Sequence, residues 1–186
     1  MTQQPAPRTT AGRAVLHCLL VSVAMVARRE TRFPRDNVGR MIRFADGTTG
    51  RVYRETVVGR TPRDPCFLVV SFRLRGVRGV GHTLFRIESI LNTPLFVGFP
   101  GFVSKLWLAA DSRGTYRGLY EWDGADRAEH YAQCLWRVLE LVSEPGSIDY
   151  RILPGLGRDD VLADPRVMQT LAPGQDAAWW RVVAAA

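Results

Sequence analysis

A chain of 186 residues with 46% hydrophobic and 23% charged side chains holds enough apolar material for one core and too much for a disordered protein, so disorder is excluded except at the ends. Its net charge of +7 invites a nucleic-acid interface, because clustered cations gain affinity by releasing counterions from phosphate; yet 24 Arg and the single Lys105 are spread along the whole chain, which argues against one basic patch and against a nucleic-acid partner. Cys18, Cys66 and Cys134 are odd in number and far apart, a spacing that excludes a zinc cluster and a disulfide framework and fits a reducing, cytoplasmic setting.

In chain order, residues 1–12 are polar with two Pro and predict a mobile tail. Residues 14–27 form an apolar run between Arg13 and the pair Arg28-Arg29. The run falls short of the roughly 18 apolar residues of a spanning helix, and no membrane partner is expected. Three readings stay open: a signal-peptide core with Ser22 and Ala24 at a cleavage site, a helix packed on the domain or on a partner, or an upstream extension of a domain that can start at Met41.

Residues 41–44 and 50–58 read as strands flanking the turn signal Asp46-Gly47, and 60–65 (RTPRDP) as a loop. Residues 66–75 (CFLVVSFRLR) are the strongest strand, with Leu68, Val70, Phe72 and Leu74 on one side and Phe67, Val69, Ser71 and Arg73 on the other. Gly76, Gly79 and Gly81 then break the pattern at a spacing that matches neither a dinucleotide fingerprint nor a P-loop. Residues 82–91 place Leu84, Ile87 and Leu91 at helical intervals.

Residues 99–145 carry the richest pattern: a strand (PGFVSKLWLAAD), a turn at 111–114 (DSRG), a returning strand (TYRGLYEW) and a helix. A four-residue turn makes Ala110 face Thr115 and pairs Trp107 with Gly118, Lys105 with Tyr120 and Val103 with Trp122; a ring over a bare glycine favours this register. Asp123 is the expected N-cap, followed by an apolar stripe through Ala128, Tyr131, Ala132, Leu135, Val138, Leu139 and Val142 over about five turns. Residues 147–153 close the unit as a strand with Ile148, Tyr150 and Ile152 on one face. In the remainder, short helices are expected at 159–163 and 165–171, and Trp179 and Trp180 need an anchor on the domain or a second subunit.

The order β, α, β, β, α, β over 66–153 is that of a ferredoxin-like antiparallel sheet with both helices on one side, and the fold class is α+β with an added N-terminal helix and β-hairpin. The expected organisation is 1–40 tail and apolar helix or extension, 41–65 hairpin and loop, 66–154 ferredoxin-like domain, and 155–186 C-terminal tail. The sheet face away from the helices is apolar enough to need cover, and two such faces would close a barrel-like homodimer.

The strand pair around Ser104-Lys105-Leu106-Trp107 and Tyr120-Glu121-Trp122, with the acidic cap and the Ala/Tyr helix that follow, resembles the dimeric α+β-barrel superfamily, and within it the small monooxygenases related to the antibiotic-biosynthesis monooxygenases. The similarity covers about half of the chain and specifies the fold better than the activity. It implies homodimers with a ligand cavity. Some members oxygenate aromatic polyketides without metal or flavin, and others bind haem. No cofactor is expected here.

In the expected register Lys105, Trp107, Tyr116, Tyr120 and Trp122 share one face. Trp107, Tyr116 and Trp122 could stack a flat aromatic ligand while Lys105 or Tyr120 polarises or deprotonates a phenol. The same rings equally serve as core or dimer packing. His82 and His130 are further proton carriers, neither with a companion at metal-ligand spacing. Glu121 and Glu88 suit a carboxylate pair or a partner for Arg117, against the plainer role of solvated ion pairs. Two functions follow: a cofactor-independent monooxygenase-like enzyme on a bulky aromatic small molecule, with Lys105, Tyr120, Trp107 and His82 lining the pocket, or a non-catalytic dimeric ligand-binding or interaction module.

Overall fold

The structure, a computed structural model, describes residues 4–76, 96–171 and 178–186. The helix expected over 82–91, with His82 and Glu88, lies outside the described residues. The fold is mixed α+β, an antiparallel sheet curled into a half-barrel and flanked by helices. Its elements are α1 (Arg8–Ala27), β1 (Thr31–Arg32), β2 (Met41–Phe44), β3 (Thr49–Val58), β4 (Pro65–Arg73), β5 (Phe102–Leu108), β6 (Thr115–Asp123), α2 (Ala125–Leu139), β7 (Asp149–Pro154), α3 (Arg158–Ala163), α4 (Val167–Leu171) and β8 (Val182–Ala185). Strands run in the order β7-β4-β6-β5-β3-β2-β8, with β1 on the end of β3.

Period-two alternation divides β4 as its sequence demands. Cys66, Leu68 and Val70 enter a core on the helix side, while Phe67 and Val69 enter a core on the opposite side. The helix-side core is closed by Ala128, Tyr131, Ala132 and Cys134 of α2, by Ala11 and Cys18 of α1, and by Phe96, Val97 and Phe99. The opposite core joins Ile42 and Phe44 of β2 to Leu106, Leu108 and Leu119, and is covered by Leu156, Val161, Leu162, Met168 and Trp180. This second face is therefore not bare. Leu156, α3, α4 and Trp180 fold back over it.

Several local expectations are corrected. Residues 8–12 are the first turn of α1 rather than mobile tail, tied down where Ala6 N–H donates to Gln133 O (3.1 Å) and Arg137 Nε donates to Ala6 O (2.7 Å). Asp123 does not cap α2, whose N-cap is Gly124 with φ 103°; its Oδ1 instead accepts the backbone N–H groups of Arg63 (2.8 Å) and Asp64 (3.0 Å), pinning the loop before β4. Those bonds hold the Asp123 carboxyl below its usual range. The helix stops at Leu139, about four turns, and Val142 is exposed. Trp180 is anchored within the chain, 5% exposed with the Arg151 guanidinium 5.1 Å above its ring, and is followed by β8, a strand the sequence did not announce.

Candidate functional site

The hairpin β5–β6 sets the site. Lys105 pairs with Tyr120 and Trp107 with Gly118, as the four-residue turn requires. A bulge between Phe102 and Ser104 then shifts the ladder, so Phe102 and not Val103 stands opposite Trp122. The ring that lies on Gly118 is that of Tyr120 on the same strand: a Cβ at Gly118 would meet it at 2.6 Å.

Lys105 is buried, 6% exposed, on the helix side of the sheet. Its Nζ lies 3.1 Å from the centroid of the Trp107 ring, 4.5 Å from Phe96 and 4.7 Å from Tyr120. Among the described residues no carboxylate forms an ion pair with it. Ring quadrupoles favour a cation, but loss of water opposes it more strongly: burial, and secondarily the charge of Arg54, push the ammonium well below its ordinary value. Arg54 reaches this cluster from β3, opposite Trp107, with its guanidinium 5.4 Å from the indole. Trp107 is fixed in turn by donation from Nε1 to Thr56 Oγ1 at 3.2 Å.

Tyr120 is held from above by α2. Tyr131 Oη donates to Tyr120 Oη at 3.3 Å, and the two rings are 5.5 Å apart. Burial raises both phenols above their ordinary range, so both stay protonated near neutral pH. Burial thus moves Lys105 and Tyr120 in opposite directions, the amine down and the phenol up. Trp122 packs on Tyr131 (4.7 Å) and Phe102 (5.6 Å), and its wholly buried Nε1 has no hydrogen-bond partner among the described residues.

Of the expected site residues, Lys105, Trp107, Tyr120 and Trp122 are thus brought into one cluster. Tyr116 shares their face but stacks on Phe72 at 5.7 Å, four residues or about 13 Å farther along the strand from Tyr120. His82 lies outside the described residues. His130 is exposed on α2, with Nε2 3.8 Å from Cys134 Sγ. Arg117 is not a partner of Glu121: its Nη1 meets Asp111 Oδ2 at 2.7 Å and its Nη2 meets Asp46 Oδ2 at 3.0 Å, joining two turns beneath the Phe44 ring.

Sequence reasoning missed Phe96, Arg54 and Thr56 as walls of the Lys105 cluster. It also missed a polar cluster on the other face of the sheet. There Arg158 Nη1 lies 2.8 Å from Glu55 Oε1, both side chains buried, and Asn37 Nδ2 donates to Glu55 Oε2 at 2.9 Å. These groups, with Asp36, Arg40, Asp159, Leu162 and Ala163, line a cavity of ≈ 410 Å³. Burial raises the Glu121 carboxyl, against the opposing pull of Arg158. Among the described residues no group of three or more His, Cys, Asp or Glu is placed to hold a metal ion. No protein-family model matches the chain, and no curated protein matches it.

Proposed function

We propose that this protein is a small-molecule enzyme on a ferredoxin-like scaffold, with the uncharged amine of Lys105 as its proton acceptor. The scaffold reading is supported by the order β7-β4-β6-β5, all antiparallel, which is the arrangement a βαββαβ chain adopts, with β3, β2 and β8 added beside β5. The observation that carries the function is the burial of the sole lysine among Trp107, Phe96 and Tyr120. A buried cation without a carboxylate is costly, and an amine made neutral in this way is a competent base at neutral pH. The aromatic walls suit a planar phenolic substrate. The resemblance to the antibiotic-biosynthesis monooxygenases supplies the reaction class: the deprotonated phenol, carrying a ring C–H, is oxidised by O2 to a quinone with release of water, the substrate providing the electrons. Trp107 and Trp122 hold the ring plane, and Tyr120 offers a hydroxyl donor.

The test is oxygen uptake by the purified chain over a panel of phenols and fused-ring phenols. Uptake by the wild type that is lost in Lys105→Met supports the proposal, and its absence across the panel, or its persistence in Lys105→Met, contradicts it. One observation favours a second, non-catalytic reading, in which the face is packing alone. Its rings pack continuously on one another: Phe96 on Trp107 (5.3 Å), Phe102 on Trp122 (5.6 Å) and Phe99 on Tyr131 (5.2 Å). That reading expects an interaction module in which Trp107 and Tyr120 serve only as core rings: Trp107→Ala should cost about 3–5 kcal/mol in urea denaturation and no phenol should raise the thermal midpoint of the wild type; a phenol that does raise it goes against the reading.

A further inference from the structure

Helix α1 is turned the opposite way from an ordinary surface helix. Its inward face is small and polar, with Ala11, Cys18 and Ser22 buried and Ser22 Oγ accepting the Gly98 N–H at 2.8 Å. Its large aliphatic side chains face outward: Leu16 is 61% exposed, Leu20 67% and Val23 64%. These three recur at steps of four and three, so they form one stripe. By length and composition this helix is also apolar enough to cross a membrane, with mean hydropathy 1.7. It is nevertheless fastened to the domain by its inner face and offers only the stripe.

Along α1 itself the charge is of one sign. From Arg8 to Arg29 the chain has no acidic residue. At the C-terminal end of α1 a cavity of ≈ 320 Å³ gathers Arg29, Arg32 and Arg60 with Met25, Glu30 and Val58. Arg29 has φ 57°, the only non-glycine positive φ among the described residues, at the position where glycine ordinarily ends a helix. Arg29 N–H donates to Val26 O (3.0 Å) and Glu30 N–H to Met25 O (2.9 Å), the pair of bonds that closes a helix at a residue of this conformation, so the turn aims the Arg29 side chain out at the end of α1.

We infer that the outer face of α1 docks on an anionic phospholipid surface, Leu16, Leu20 and Val23 entering the acyl boundary while the cations at the two ends of the stripe, Arg13 and Arg28-Arg29, meet lipid phosphates. This departs from the expectation of a chain without a membrane partner, and it is independent of the Lys105 chemistry. A second copy of the chain fits this face poorly. A parallel pair of α1 helices would set Arg13 against Arg13, and an antiparallel pair centred on Leu20 would bring Arg13 beside Arg28, with no acid on either helix to neutralise them. An acidic membrane meets both the apolar stripe and the flanking cations.

Co-sedimentation of the full chain with phosphatidylcholine vesicles, and with vesicles of equal parts phosphatidylcholine and phosphatidylserine, tests it. Binding is expected only to the phosphatidylserine vesicles, weakening as NaCl is raised. The combined variant Leu16→Ser, Leu20→Ser, Val23→Ser alters exposed positions and should keep its fold by circular dichroism while losing on the order of tenfold or more in vesicle affinity. Arg29→Gly should bind several-fold more weakly although its thermal midpoint is unchanged or higher. Equal binding to both vesicle types, no binding to either, or undiminished binding by the triple variant overturns the inference. So does self-association of the wild type that the triple variant abolishes, if no vesicle binding accompanies it.

Discussion

Lys105 faces inward because strand alternation gives it no other direction. Leu106 and Leu108 take the opposite core, so Lys105 and Trp107 must enter the helix-side one. The chain then carries the cost of an amine buried against rings. Folded Lys105 gives up its proton well below the ordinary value of 10.5 at which the unfolded chain does so. Between those two pKa values the unfolded state binds more protons, so stability rises with pH across that window and bears the full penalty below it. Lys105→Met should therefore be more stable near pH 7, by an amount on the order of 1 to 4 kcal/mol as buried charges give way to packed apolar chains. Its urea midpoint should also be flatter toward alkaline pH than that of the wild type. Equal slopes in the two proteins would mean that Lys105 is solvated.

At the scale of elements, α1 is placed by one close approach. A Cβ at Gly98 would collide with the Cys18 carbonyl and come within 2.8 Å of Ser22 Oγ. Gly98→Ala should cost about 1–3 kcal/mol and open the helix to trypsin at Arg13, Arg28 and Arg29; an unchanged digestion pattern would show that α1 is held by other contacts. The strands were legible because alternation is a strong local signal. Residues 41–44, 66–75 and 115–122 each show it, and the DSRG turn fixed Lys105 opposite Tyr120. What was not legible is what other elements decide. The bulge at Phe102–Ser104 displaced Val103, the backbone of Arg63 and Asp64 claimed the Asp123 carboxylate from its helix, and VVAA is too short and featureless to announce β8. The site divides likewise. Period two put Lys105, Trp107, Tyr120 and Trp122 on one face, whereas Arg54, Thr56 and the Glu55–Arg158 pair depend on which strands and tails become neighbours.

For the whole molecule, the decisive feature is that one chain covers both faces of its sheet. The helix-side core needs α1 and α2, and the opposite core needs Leu156, Val161, Leu162, Met168, Trp180 and Val182. Trp180 therefore belongs to the core as firmly as Trp122 does, and Trp180→Ala should cost about 3–5 kcal/mol in urea denaturation. A loss under 1 kcal/mol would detach the C-terminal segment from the fold. Coverage within the chain also separates the two proposed activities in space. Proton-transfer chemistry belongs to the Lys105 cluster between sheet and helices, and surface association belongs to the outer side of α1.

The proposed function requires Lys105 to be uncharged at neutral pH, and this is directly measurable, since there is one lysine in the chain. Protein labelled with 15N-lysine gives a single side-chain Nζ resonance whose chemical shift reports protonation as pH is varied. We expect the midpoint well below 10.5, with the neutral amine prevailing at pH 7. A midpoint above 7 would leave the lysine charged at pH 7 and would contradict both the caged base and the function built on it.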